Sequence, residues 1–221
     1  MSVYLCLAAE LNARTILDLG CGTGLLTREL AVDDRRVIGV DPSSAMLTYA
    51  RRQPGAKRVQ WLEGDASALG RSEADLVIMT GNVAQVFLDD VEWAATLRAI
   101  HDALRPGGYL VFESRNPDDR AWERWNRADT YEQIDSSHGP MECWLELVSV
   151  GKDRVHFVGH NVFTTTGEDV VVNSELRFRS LSELTASLVN ADFTVAHVYG
   201  DWNRGPVTDT SRIMAFIARR N

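Results

Sequence analysis

The chain has 221 residues, 45% of them hydrophobic and 24% charged, which is the composition of an ordinary folded protein with one substantial core. Its formal net charge of −8 disfavours nucleic acid as a partner, because nucleic-acid binders carry basic surfaces that neutralise phosphates. With no apolar run as long as a membrane span and no leader-like start, we expect a cytoplasmic protein without a membrane partner. The cysteines lack the spacing of zinc ligands, so no metal is expected; they are Cys6, Cys21 and Cys143.

Short apolar runs and amphipathic stretches alternate through the first half of the chain. The predicted strands are residues 14–19, 36–41, 58–63, 75–80 and 108–114. The predicted helices are residues 24–32, 43–53 and 89–104. This alternation indicates a mostly parallel sheet with helices on both faces.

Residues 118–180 follow a different pattern. After a short helix at 119–127, the sequence predicts extended runs at 141–150, 154–166 and 170–180, separated by turn signals. We interpret them as a small antiparallel insert in an α/β body formed by residues 1–117 and 181–221. A helix at 181–191 and strands at 193–200 and 211–219 complete that body.

The stretch "ILDLGCGTG" (16–24) places glycines at alternate positions between a strand and a helix. Such a turn lets the backbone approach a ligand closely, although a tight turn without a ligand is the alternative. The spacing is G-x-G-x-G, whereas dinucleotide sites use G-x-G-x-x-G. Leu25 stands where the third glycine of that pattern belongs, which disfavours NAD.

Acidic residues follow the second and third strands. Asp41 suits a carboxylate that accepts hydrogen bonds from ribose hydroxyls, and Asp65 could accept from an exocyclic amino group. Helix capping or turn formation is the alternative for each. Because the carboxyl ends of neighbouring parallel strands share one edge, the glycines and the two acids together favour a nucleoside site.

Four segments, "ILDLGCGTG", "VIGVDPSSAML", "WLEGDASAL" and "LRPGGYLVFE", resemble those of class I S-adenosylmethionine-dependent methyltransferases. The resemblance implies a Rossmann-like seven-stranded sheet, mostly parallel with the last strand antiparallel, and S-adenosylmethionine at its carboxyl edge. It further implies that the antiparallel insert after the fifth strand roofs the acceptor pocket, as in small-molecule N- and O-methyltransferases.

Carried onto this sequence, the resemblance implies a cofactor site in which Asp18 and the glycine turn face the methionine moiety. Asp41 would hold the ribose diol, Met46 would pack on the adenine, and Asp65 would accept from its amino group. The full set of implied cofactor residues is Asp18, Gly20, Cys21, Gly22, Asp41, Pro42, Met46, Asp65, Ala66, Thr80 and Gly81. Relatives usually carry a further covering helix before the first strand, so we expect a more open cofactor site here.

The sequence gives less specific signals for the residues that bind the methyl acceptor than for those that bind the cofactor. Candidate catalytic groups are Glu113, at the end of the fifth strand, and His156 and His160, which share one strand face; solvent exposure is the alternative for the histidines. Candidate substrate contacts are Gln85, Phe87, Arg115, Asn116 and Trp144. Segment 80–87 lacks an N-P-P-Y-like signature. We expect methyl transfer to a nitrogen or oxygen atom of a small soluble molecule.

Two other functions stay open. The chain could be a catalytically degenerate cofactor-binding or interaction protein, or a methyltransferase acting on protein or RNA. The acidic balance disfavours the latter. The sequence does not define the oligomeric state.

Overall fold

The computed structural model describes residues 3–136 and 139–221. The helices are α1 (Val3–Glu10), α2 (Leu25–Leu30), α3 (Ser44–Arg51), α4 (Val83–Val86), α5 (Asp90–Ala103), α6 (Arg127–Thr130) and α7 (Leu181–Asn190). The strands are β1 (Thr15–Leu19), β2 (Arg36–Asp41), β3 (Val59–Glu63), β4 (Ala74–Met79), β5 (Leu104–Arg115), β6 (Glu132–Ser136), β7 (Gly139–Val150), β8 (Arg154–Phe163), β9 (Glu168–Arg177), β10 (Phe193–Tyr199) and β11 (Ile213–Arg220).

Seven of these strands form one sheet in the order β10-β11-β5-β4-β1-β2-β3. Strands β1 to β5 pair in parallel, whereas β11 is antiparallel to both β5 and β10. The predicted Rossmann-like sheet, mostly parallel with its last strand antiparallel, is confirmed. The carboxyl ends of β1, β2, β4 and β5 therefore share one edge, which is where ligands bind in open α/β sheets.

Hydrophobic side chains cover both faces of this sheet. On one face α5 and α7 pack on β-strand residues such as Val77 and Phe112, with Trp93 and Leu97 of α5 in the same cluster. On the other face α1 and α2 cover Ile16 and neighbouring residues. Burial on both faces explains why the strands read as continuous apolar runs rather than alternating ones.

Capping residues fix where the two long helices begin. The Asp89 carboxylate accepts a hydrogen bond from the Val91 N–H at 2.7 Å, and Ser180 and Glu183 form a capping box at the start of α7. Helix α2 is shorter than the predicted helix at 24–32, and Leu25 at its start is 63% exposed. The buried residues of α2 are Thr27 and Leu30.

A second, four-stranded antiparallel sheet has the order β6-β7-β8-β9. One side of it packs around Trp125, Phe157 and Phe178, which form a small core of their own. All four strands fall within residues 118–180, and the division of the chain into two units at those positions stays a prediction.

The start of the insert differs from the predicted helix at 119–127. Two short 3-10 turns, Pro117–Asp119 and Ala121–Arg124, precede α6. Arg120, between them, has a left-handed φ of +47°, which a continuous right-handed helix cannot contain. Strand β6 was not predicted, because its residues are mostly polar and exposed and its pairing with β7 is what makes it a strand.

Candidate cofactor and acceptor site

The glycine turn after β1 uses left-handed backbone conformations at all three glycines, with φ of +74°, +54° and +70° at Gly20, Gly22 and Gly24. A Cβ atom on Gly20 would lie 2.4 Å from a Val83 methyl, and one on Gly24 2.2 Å from the Trp61 ring. At Gly22 no heavy atom lies within 4 Å of that position. Two glycines are thus required by protein packing and only Gly22 opens towards free space, so three glycines alone do not demand a ligand.

A cleft of about 490 Å³ opens beside this turn, at the carboxyl edge of β1 and β4. Its lining includes Asp18, Cys21, Gly22 and Thr80, together with Tyr4 of α1 and Glu29 of α2. The volume lies within the range of small-molecule sites. The carboxylates of Asp18 and Glu29 make its lining suited to a cationic ligand.

Asp18 is the buried acid of this cleft, with 1% of its surface exposed. Its Oδ2 accepts a hydrogen bond from the Thr27 hydroxyl at 2.6 Å, while Oδ1 has no partner among the described residues. Burial, together with the smaller effect of the neighbouring Asp41 charge, raises the pKa of Asp18 to about 6. An unpaired buried acceptor costs about 1–3 kcal/mol, so a cationic donor in the cleft would stabilise the ionised carboxylate.

Asp41 connects the glycine turn with the start of α3. Its Oδ2 accepts from the Gly22 N–H and its Oδ1 from the Ser43 N–H, both at 2.8 Å. Each carboxylate oxygen can accept more than one hydrogen bond, so both could also accept from a diol. Pro42 is exposed beside it, and 46% of the Met46 surface is exposed.

Asp65 caps the 3-10 turn Ala66–Leu69. Its Oδ1 accepts from the backbone N–H of Ser67 at 2.8 Å and from the Ser67 hydroxyl at 2.6 Å, which lowers the pKa of Asp65. The side chain is exposed, and Ala66 next to it is buried. The structure therefore gives Asp65 the capping role of the alternative interpretation, and an adenine contact stays a prediction.

Cys21 has a thiol whose pKa is raised by burial and by the Asp18 and Asp41 charges. The thiol therefore stays protonated near neutral pH and acts as a small packing group. Its sulfur fills space beside Gly39 of β2, where a Cβ would lie 3.0 Å away.

Glu113 of β5 is hydrogen-bonded to Tyr4, one of the residues that line the same cleft. Its Oε1 accepts a 2.5 Å hydrogen bond from the Gly81 N–H, and its Oε2 accepts from the Tyr4 hydroxyl. Burial raises the pKa of Glu113 to about 7. Tyr4 and Thr80 both line the cleft, so Glu113 is the candidate acid–base group that the fold brings next to it. Sequence reasoning missed Tyr4, which sits on a helix without a recognisable motif.

His156 and His160 lie on the face of β8 opposite Val155 and Phe157, which fill the core of the insert. His160 stacks on Trp144 with ring centroids 4.6 Å apart, and its Nδ1 is 2.7 Å from Asp169. Among residues 3–136 and 139–221, neither histidine has a hydrogen bond, ion pair or ring contact with the cofactor cleft. The Arg127 guanidinium also lies over Trp144, with its central carbon 4.5 Å from the centroid of the Trp144 ring.

Two predicted acceptor contacts, Gln85 and Asn116, are buried structural residues. Gln85 is fully buried, accepting from the Arg115 N–H at 3.2 Å and donating to the Arg177 carbonyl at 3.4 Å. Asn116 donates to the Thr208 and Ser211 carbonyls at 3.1 and 2.9 Å. Backbone groups are the hydrogen-bond partners of both amides in this structure, and an acceptor contact for either residue stays a prediction.

Phe87 and Arg115 have contrasting positions. Phe87 packs against Trp93 in the core, with centroids 5.7 Å apart, so it does not face a cleft. Arg115 borders a second cleft, of about 500 Å³, beneath the insert. Its guanidinium lies over the Trp125 ring, 4.9 Å from the centroid.

No helix in the described part of the chain is long and apolar enough to cross a bilayer. Within the same residues, no group of three histidine, cysteine or acidic side chains could hold a metal ion.

Residues 16–108 match the family described as a methyltransferase domain. A protein of Geobacillus sp. (strain WCH70) assigned to the methyltransferases is 34% identical over 218 residues, which cover 95% of this chain and 85% of that protein. This chain therefore belongs to the methyltransferase family. The sequence-based assignment to the class I S-adenosylmethionine-dependent members is confirmed, and S-adenosylmethionine is the methyl donor that the family and the fold indicate.

Two further similarities cover different shares of the chain. The cypemycin N-terminal methyltransferase of Streptomyces sp. is 36% identical over 108 residues, 48% of this chain and 44% of that enzyme. This chain thus spans less than half the length of that curated relative. The S-adenosylmethionine-bound structure of CalS10, an amino pentose methyltransferase from Micromonospora echinaspora, superposes with a TM-score of 0.72 at 24% identity, covering 100% of this chain and 92% of CalS10. That likeness shows a shared fold.

Proposed function

We propose that this protein transfers a methyl group from S-adenosylmethionine to a nitrogen or oxygen atom of a small soluble acceptor. The observation that carries the proposal is the unpartnered, buried Asp18 oxygen in the lining of the cleft beside Gly22. A cationic amino-acid ligand would supply the missing donor there. When bound, S-adenosylmethionine supplies a methyl group activated by its sulfonium charge.

In this proposal, residues at different strand ends bind different parts of S-adenosylmethionine. Asp18 and Gly22 hold the amino-acid end of the cofactor. Asp41, already oriented by the Gly22 and Ser43 N–H groups, accepts from the ribose hydroxyls. Met46, Asp65 and Ala66 face the adenine. Orienting both reactants in this way can supply much of the rate, because the displacement needs mainly correct geometry.

Glu113 is the group we assign to the proton of the acceptor. Its raised pKa, about 7, lets the carboxylate accept a proton near neutral pH. The Tyr4 hydroxyl and the Gly81 N–H hold it at the edge of the cleft. Residues 118–180 would roof the acceptor. The amino pentose substrate in the name of CalS10 and the peptide terminus in that of the cypemycin enzyme both support an amine acceptor.

The first test is calorimetric titration of the full chain with S-adenosylmethionine, S-adenosylhomocysteine and NAD. We expect micromolar binding of the first two, no heat with NAD, and at least tenfold weaker binding, about 1.4 kcal/mol, for Asp41→Ala. Asp34→Ala is the matched control, because Asp34 is an exposed carboxylate before β2, at the opposite edge of the sheet. Circular dichroism checks that each variant is folded.

Absence of binding, or equal binding by wild type and Asp41→Ala, would contradict the proposed cofactor site. The same samples, incubated with a panel of small amines, small hydroxyl compounds, peptides and RNA, then report S-adenosylhomocysteine release by mass spectrometry. Release with peptides or RNA alone would overturn the small-molecule assignment. Binding without release on any acceptor would favour the degenerate, cofactor-binding protein.

A further inference from the structure

The second cleft, beneath the insert, combines guanidinium groups with an aromatic wall. It lies where β5 ends and β11 begins, and its lining includes Arg115, Arg124 and Arg212, the Trp125 ring and the carboxylates of Asp119 and Asp129. Its volume of about 500 Å³ is similar to that of the cofactor cleft. In a chain with a net charge of −8, three arginines at one small cleft are a local departure from the overall balance.

Arg115 supplies a guanidinium whose charge is only partly offset, by the nearby Asp119 carboxylate. Its side chain is half-buried, and burial lowers the pKa of its guanidinium. In the described residues it has a ring contact with Trp125 but no ion pair and no side-chain hydrogen bond. A partly desolvated guanidinium keeps strong donors for a carboxylate or phosphate, and a stacked one is already oriented to offer them.

With three arginines against two aspartates, the lining of this cleft keeps a net positive charge. Arg124 is engaged by the Asp119 carboxylate, and Asp129 accepts from the Asn126 amide at 2.7 Å. Arg212 is exposed and has no ion pair within the described ranges. Its carbonyl accepts from the Asn116 N–H at 3.1 Å, which fixes its backbone beside the end of β5.

The position of this cleft relative to the cofactor cleft suits an acceptor site. β4 lies between β5 and β1, so Arg115 stands two strand spacings, roughly 10 Å, from the strand that carries Asp18. Glu113, two residues before Arg115 on β5, is hydrogen-bonded to Tyr4 in the lining of the cofactor cleft. A small molecule held at Arg115 could therefore present a nucleophilic atom near Glu113.

We propose that the acceptor carries a carboxylate or phosphate group, which Arg115 and Arg212 bind against the Trp125 wall. This inference rests on the proposed methyltransferase function and specifies the class of its substrate. The arginines recognise the anionic group, while the atom to be methylated lies on the Glu113 side of the same molecule.

The test titrates succinate and inorganic phosphate separately, at constant ionic strength, into the full chain saturated with S-adenosylhomocysteine. We expect one of these anions to bind wild type in the millimolar range or tighter, and Arg115→Gln and Arg212→Gln to bind it at least tenfold more weakly, a difference of about 1.4 kcal/mol. Which anion binds distinguishes a carboxylate from a phosphate acceptor. Arg71→Gln, at an exposed arginine outside both clefts, should bind like wild type.

Two results would overturn the inference: no binding of either anion up to roughly 10 mM, where a millimolar site would be filled, or equal binding by wild type and Arg115→Gln. Trp125 fluorescence provides a second readout, because a bound anion would change the contact between Arg115 and that ring. Binding of S-adenosylhomocysteine, measured first in the same samples, separates failure of this inference from failure of the proposed function.

Discussion

At the scale of single residues, Gly22 and Gly24 share a left-handed backbone conformation but differ in their surroundings. Gly24→Ala would place a methyl 2.2 Å from the Trp61 ring, which is held by its hydrogen bond to the Ala56 carbonyl. We expect this variant to lose about 1–3 kcal/mol from overpacking, in addition to about 1–2 kcal/mol from backbone strain.

Gly22→Ala is the matched variant, because it carries the same left-handed backbone strain but its methyl group would contact no other atom. We expect it to lose only the strain cost in urea-induced unfolding but to bind S-adenosylmethionine more weakly, since the added methyl would stand in open space beside the cleft. Equal losses of unfolding free energy in Gly22→Ala and Gly24→Ala would show that the Trp61 ring moves aside at little energetic cost.

In the proposed cofactor site, we expect Asp18 to make binding depend on pH. Its pKa of about 6 in the free protein means that the carboxylate ionises between pH 5 and 7, and a cationic ligand binds the ionised form better. We expect the Kd for S-adenosylmethionine to fall as pH rises from 5 to 7 and then to level off. Asp18→Asn should bind more weakly at pH 7 and lose this dependence.

The control for this titration is Glu113→Gln, because Glu113 ionises in an overlapping range. A pH dependence centred near 6 that persists in Glu113→Gln and disappears in Asp18→Asn assigns the effect to Asp18. If it disappears in Glu113→Gln instead, the assignment is wrong.

At the scale of secondary structure, the Glu113 carboxylate joins α1, β5 and the segment after β4 through Tyr4 and Gly81. Its pKa is raised from 4.5 to about 7, so the folded protein holds this proton more tightly than the unfolded chain. The contribution of Glu113 to stability is therefore highest below pH 4.5 and decreases as pH rises to 7, by about 1.4 kcal/mol per pKa unit at most.

Replacement of Glu113 by Gln removes that titration; the amide keeps one oxygen that can accept from the Gly81 N–H, while its NH2 group can donate to the Tyr4 hydroxyl oxygen. Relative to wild type, Glu113→Gln should be more stable at pH 8 than at pH 5 when unfolding free energies are measured in urea. A difference between the two proteins that is the same at both pH values would contradict the raised pKa.

The sequence correctly predicted the helices and strands whose ends and burial are set by residues within the element itself. α5 carries its own cap at Asp89 and ends before Pro106, and β1, β2 and β4 are mostly buried apolar runs. Strand β6 and the turns around Arg120 were missed, because pairing with β7 and one left-handed residue decide their structure. Neither leaves a periodic signal in the sequence.

At the scale of the whole molecule, sequence patterns bring the proposed cofactor residues together more readily than the proposed acceptor residues. Asp18 and Asp41 stand at strand ends that parallel pairing must bring to one edge. Gln85 instead meets Arg177, 92 residues away, and Asn116 meets Thr208, also 92 residues away. Contacts of that length depend on how the insert folds back, which a single sequence does not encode in any local pattern.

The Gln85 amide limits how the insert of this protein can be exchanged for another. The chain leaves the α/β body after Arg115 and returns near Arg177, and one buried side chain holds both crossing points. We therefore expect an exchange of the residues between them to require that the two Gln85 hydrogen bonds are kept. We expect a chimaera that receives only the insert to lack the glutamine contacts that join its two ends to the α/β body. A chimaera that also receives Gln85 should keep the orientation of the insert relative to that body.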